Sequence, residues 1–247
     1  MFKKIYSLSA LFFLFYSFVS FAQSDEAIIK SFIKKQNEYT DTSRIKNLYL
    51  ELTVSSMGFE VPNKIWKKGN KYRVETSFMG QSTIVIIGEN EGWTIQNGMT
   101  TEIPADQLDM YRAQIANQTQ IGTMNISLDD YEKEKEQIKV VGIEKIDGEN
   151  CYHIQVNPSK ESNNHSEETP GHFWFDPKNY TLKKMSVKSL QNGQEQQTEL
   201  LFKDYVFIQN VPFPKNVEIY TDSQKSAEIK FQKILVNEPI DDVLFKK

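Results

Sequence analysis

The sequence predicts a single, mostly antiparallel β domain with an opening helix and a helical insertion. Three observations carry this: period-two alternation from Leu48 to Val54, turn residues recurring at short and regular intervals, and one helical interruption between Pro104 and Ser127. Formal net charge is −4, and removal of Lys3 and Lys4 with a leader makes it more negative, which argues against a nucleic-acid partner.

The chain opens Met-Phe-Lys-Lys, continues in an apolar run from Ile5 to Phe21, and reaches small residues at Ser20 and Ala22. A basic start, an apolar stretch and a small-residue site make residues 1–22 a cleavable secretory signal, with the mature domain at 23–247. Ser7, Ser9, Ser17 and Ser20 interrupt the run, which is short for a spanning helix. The expected product is soluble and periplasmic. Cys151 is the sole cysteine, far from the signal, so it neither carries a lipoprotein lipid nor forms an internal disulfide.

From Asp25 to Tyr39, Ala27, Ile28, Ile29, Phe32 and Ile33 fall at helical spacing opposite Lys30, Lys34, Lys35 and Glu38, predicting an amphipathic helix. Leu48, Leu50, Leu52 and Val54 then share one face of a strand near 45–57. Turn signals at Gly69-Asn70, Gly80, Glu91-Gly92, Asn97-Gly98, Asp147-Gly148, Asp176-Pro177 and Asn192-Gly193 separate further strands. These are expected near 61–68, 71–78, 81–88, 93–96, 99–103, 137–146, 150–156, 172–175, 181–190, 194–207, 214–222 and 225–236.

A meander of this size closes, splits into two layers, or curls and covers its concave face. Leu108, Tyr111, Arg112 and Ile115 recur at helical spacing behind Pro104, so a helical segment crosses the middle of the strand order. Asp129 to Gln137 is too polar for burial and is expected to be a solvated connector, and 157–171 a polar loop. In Thr83-Ile84-Val85-Ile86-Ile87 no polar face remains, so both faces of that strand must be covered.

Catalytic signatures are absent. His153, His165 and His172 are not spaced as a metal pair, and the sequence has no nucleophile elbow, phosphate loop, Cys-x-x-Cys or His-Glu-x-x-His. The reading is therefore not an enzyme, without cofactor or metal, although a carboxylate-dependent hydrolase with two inward-facing acids stays open. Trp66, Trp93, Tyr72, Phe78 and Met99 cluster among the hairpins. They serve either an ordinary core between sheet and helix or a cavity for an acyl chain.

The order of motifs resembles the LolA-like periplasmic lipoprotein carriers, also called outer-membrane lipoprotein-sorting proteins. The resemblance rests on Ile65 to Glu75, Glu91 to Ile95 with Ile103-Pro104, Phe173 to Tyr180 with Lys183 to Val187 and Thr198 to Tyr205, and Val236 to Phe245. It implies a curved antiparallel half-barrel, an unclosed barrel whose concave face is covered by helices. The implied function is binding the acyl chains of lipoproteins or other envelope lipids and delivering them toward the outer membrane. The alternative is a non-transporting lipid-sensing or structural module of the same fold. Its implied partners are an acylated protein or lipid, an inner-membrane export complex and an outer-membrane acceptor, with the chain a monomer. The expected cavity lining is Leu50, Leu52, Tyr72, Val74, Phe78, Val85, Ile87, Trp93 and Met99, with Met110, Tyr111 and Ile115 on the lid. Lys67, Lys68 or Arg73 would hold the lid, and Gly69 stands where the family commonly has proline.

Overall fold

Strands that alternate apolar and polar residues must turn one face to a core, and tight turns between them leave little choice but a meander. The computed structural model describes residues 24–40, 44–119, 122, 128–158, 169–191 and 193–247. The expected leader, residues 1–22, and His165 lie outside the described residues. Thirteen strands form one antiparallel sheet: β1 Asn47–Ser56, β2 Phe59–Lys68, β3 Lys71–Phe78, β4 Gln81–Ile87, β5 Gly92–Gln96, β6 Met99–Glu102, β7 Ile138–Ile146, β8 Glu149–Val156, β9 Gly171–Phe175, β10 Leu182–Gln191, β11 Gln194–Ile208, β12 Val211–Thr221 and β13 Gln224–Val236. Their order is β6-β5-β4-β3-β2-β1-β13-β12-β11-β10-β9-β8-β7, so the sheet is an open half-barrel whose edges are β6 and β7. Every pairing joins neighbours in sequence except β1 with β13, which meet at the middle of the sheet.

Among the described residues three α-helices accompany the sheet: α1 Asp25–Thr40, α2 Leu108–Thr119 and α3 Leu128–Glu134. The last is a correction to the sequence reading. Tyr131 is 3% exposed, and this one buried ring, with Lys30 of α1 paired to Glu132 at 2.8 Å, folds into a helix a stretch whose composition predicts only a connector. Among the described residues no helix is long and apolar enough to cross a membrane.

β12 also starts earlier than the pattern predicts, because Pro212 and Pro214 mark its first residues as poor strand formers. Pairing explains their place: β11 lies opposite Val211 to Pro214, whereas β13 joins β12 only from Asn216 onward. Those prolines therefore sit where one side of the strand owes no hydrogen bond to a sheet neighbour.

The core lies between the inner face of the sheet and the helices. Ile29, Phe32 and Ile33 of α1 and Leu108 and Ile115 of α2 are buried with Leu48, Leu50, Ile65, Tyr72, Ile87 and Phe175. The Phe32 and Phe175 ring centroids are 4.0 Å apart.

Candidate functional site

Register fixes which residues share the inner face. Leu50 lies across from Ile65 and Ile65 from Val74, Val74 from Val85, and Tyr72 from Ile87. Leu50, Leu52, Tyr72, Val74, Val85 and Ile87 are thereby brought to one face, as the sequence places them. Phe78 ends the same face at a hairpin and is 41% exposed, and Met99, opposite Gln96, is 73% exposed at the next hairpin.

Trp93 is different. It pairs with Ile86 while Gly92 pairs with Ile87, so Trp93 stands on the outer face and does not line the concavity. A single step of register separates the two outcomes. Gly92 takes the inner position because α2 begins directly over it: a Cβ there would lie 2.7 Å from Leu108 Cδ2 and 3.1 Å from the Ile86 carbonyl. The lid helix therefore packs on bare backbone, which only glycine leaves open.

Burial changes along the inner face. Leu48, Leu50 and Leu52 are covered by helices, but Val54, Val61, Val74, Val85, Ile219 and Ile229 nearer the hairpins of β1, β3 and β5 are only half-buried. Thr76 and Asn63 stand on this face and satisfy each other with a 2.6 Å hydrogen bond, and Thr83, Thr94 and Gln96 continue a polar band beside them. An apolar concave surface thus emerges from a filled core.

Both helices are fixed to the sheet. Gln36 donates to the Tyr180 carbonyl at 2.6 Å and the Tyr39 hydroxyl to the Asn179 carbonyl at 2.5 Å, which ties α1 to the β9–β10 turn. Burial pushes the Tyr39 hydroxyl up to about 12. On α2, Ile115 is buried and Tyr111 packs against the core, but Met110 is 59% exposed and faces away from it.

The basic residues redistribute the lid-holding role. Lys68 binds Asp242 at 2.8 Å and the Ile240 carbonyl at 3.0 Å, and Arg73 donates to the Leu244 carbonyl at 3.1 Å. Both clamp the C-terminal segment on the outer face. Lys67 lies inward, opposite Leu48 and Tyr72, and burial lowers its pKa. The anchor of α2 is its own Arg112, which donates to the carbonyls of Gly88, at 2.8 Å, and Glu89, and pairs with Asp109 at 2.8 Å. Its Nε is buried without a partner. Long-range direction could not be read from Arg112's helical spacing alone.

Sequence reasoning also missed an outer-face cluster. His153 Nε2 lies 2.8 Å from His172 Nδ1, His153 Nδ1 lies 2.8 Å from Glu144, and Trp174 Nε1 donates to the same carboxylate at 2.8 Å. Those hydrogen bonds from Trp174 and His153 hold the Glu144 carboxyl below its ordinary value, and burial followed by the neighbouring His153 lowers His172. The cluster floors a groove of about 550 Å³ that also takes in Lys184, Ser186 and Glu199. The β8–β9 pairing brings these rings together. Cys151 beside it is fully buried, and burial pushes its thiol up.

A family model described as an uncharacterized protein matches residues 113–247. No curated protein matches the sequence. Among solved structures, a DUF1329 family protein from Desulfovibrio piger has a TM-score of 0.54 at 13% identity, covering 90% of this chain and 98% of that one. A domain described as outer membrane lipoprotein-sorting, from Vibrio parahaemolyticus, gives 0.52 at 12% identity, covering 90% and 96%. A LolA superfamily protein from Nitrosomonas europaea gives 0.50 at 11% identity, covering 88% and 97%. At these identities the likeness is one of fold, and the fold is LolA-like.

Proposed function

The chain belongs to the family whose model, described as an uncharacterized protein, spans residues 113–247, and from its open half-barrel we propose that it is a soluble periplasmic carrier of acylated lipoproteins or other acylated envelope lipids. The supporting observation is the apolar inner face that runs out of the helix-covered core into half-exposed Val54, Val74 and Val85. Solved relatives of this fold include a domain described as lipoprotein-sorting.

An acyl chain laid along this face would gain about 0.8 kcal/mol for each methylene removed from water. A dozen methylenes contribute about 10 kcal/mol, within the roughly 4–15 kcal/mol that binding costs in lost motion, so longer or paired chains bind in excess of that cost. Cargo would then pass to whichever acceptor buries it better, with neither nucleotide nor metal on this component. Its partners would be the acylated cargo, an inner-membrane source and an outer-membrane acceptor. No residue in this scheme acts as a catalyst.

Val85→Asp tests the reading, because the half-buried Val85 side chain sits on the inner face between Val74 and Thr94. An unpaired carboxylate there disfavours an apolar ligand strongly. Displacement of a fluorescent fatty acid should weaken at least tenfold, with the circular dichroism of the sheet retained. Native mass spectrometry of the wild-type protein from an envelope fraction should show bound acylated material. Unchanged probe binding in the variant would refute a concavity at this position.

A further inference from the structure

Strands β1, β3 and β5 all run toward one end of the sheet, where they turn through the two-residue loops Met57-Gly58, Met79-Gly80 and Asn97-Gly98. Each loop has positive φ at both positions: 51° and 81°, 50° and 79°, 50° and 81°. That geometry favours Asn, Asp or Gly first, as Asn97-Gly98 and Asp147-Gly148 obey. Methionine there holds a left-handed backbone that its Cβ disfavours. Met57 and Met79 are also 91% and 70% exposed. Between them Phe59 and Phe78, 47% and 41% exposed, meet edge-on at 5.6 Å.

These positions accept strain and exposed apolar area together, which folding alone does not reward. Residues 55–59, 77–83 and 94–101 contain no charged side chain, although a quarter of the sequence is charged. At the opposite end, the turns read Lys67-Lys68-Gly69-Asn70-Lys71 and Glu89-Asn90-Glu91. Neutral Ser, Thr, Gln and Asn stand behind Met79 and Met99, and Glu60, Lys225 and Glu228 stand behind Met57 and Phe59.

We propose that this end is a membrane-contacting edge, with Met57, Phe59, Phe78, Met79 and Met99 entering the headgroup and acyl boundary of a lipid bilayer. The tip loops carry no charge of their own, which suits entry into a lipid surface, while Glu60, Lys225 and Glu228 beside Met57 would stay at headgroup level. The apolar inner face leads to the same tips through Val61, Val74 and Val85, so seating them opens the concavity toward lipid. This contact does not depend on cargo.

The test is flotation of the secreted form with unilamellar vesicles of phosphatidylethanolamine and phosphatidylglycerol, comparing wild type with Met57→Asn/Met79→Asn. Asparagine relieves the turn, so the melting temperature should hold or rise, while vesicle partitioning falls on the order of tenfold. Wild-type flotation should persist in high salt. An environment-sensitive dye on Met79→Cys should shift blue on vesicles and one on Asp147→Cys, at the opposite end, should not; buried Cys151 leaves the labels site-specific. Equal flotation of wild type and variant, no flotation of wild type, or a blue shift at position 147 instead would overturn the proposal. So would concentration-dependent dimers that need the methionines and persist on vesicles.

Discussion

The two wings of the sheet treat their outer faces in opposite ways. On β1 to β5 that face carries Tyr49, Trp66, Ile86 and Trp93, and the C-terminal segment lies on it. Ile86 is 1% exposed, Trp93 9% and Phe245 4%. On β10 to β13, among the described residues, the outer face is a polar ladder without such a cover: Lys184 with Glu199 at 2.6 Å, Lys203 with Glu218 at 2.6 Å, and Lys225 with Glu218 at 3.0 Å. A sheet face made apolar must recruit chain from elsewhere, whereas one laced with opposite charges faces water directly.

Removing the cover should break the contrast most severely. Phe245→Ala removes the buried aromatic of the C-terminal segment, and we expect a loss of about 3–5 kcal/mol in urea unfolding. A loss below 1 kcal/mol would show that the segment is not what shields this wing.

Acidification should act on the other wing. His172 has its pKa lowered from 6.5, so the unfolded chain binds its proton first as pH falls, and stability declines below about pH 6.5 until the folded-state value is passed. Glu144 and His153 face the same cluster, with Lys139 acting from β7. His172→Gln should flatten this slope in thermal melts, while Phe245→Ala should leave it intact. An unchanged slope in His172→Gln would assign the titration elsewhere.

The smallest effect belongs to the ladder itself. Glu218, held down to about 2 mainly by the hydrogen bond from Lys203, keeps Lys225 and Tyr220 as partners when Lys203 is lost. Lys203→Met should therefore destabilise by about 0.2–1 kcal/mol, a difference that shrinks in high salt. A larger, salt-independent loss would mean that the lysine stem packs rather than pairs.

Much of this was legible beforehand. Alternation placed Leu50 and Leu52 inward, and the unbroken apolar run at Thr83 to Ile87 required cover on both faces, which α2 and the C-terminal segment supply. What failed was whatever depends on register or on distant pairing. Trp93 was one residue from the inner face, Tyr131 made a helix from a polar stretch, and Arg112 rather than a strand lysine anchors α2. His153 and His172 become neighbours only when β8 and β9 align, and no local periodicity records that.

One topological fact bears on how such a molecule could widen. Because β6 and β7 are the two free edges, the stretch bearing α2 and α3 is a strap fastened to both rims of the trough, with Arg112 adding a rivet near the first. A strap tied at both ends cannot swing aside like a door. If the trough takes a guest as proposed, its widening would be shared with flexing about the β1–β13 seam, and the stiffness of that seam would help set how large a guest fits.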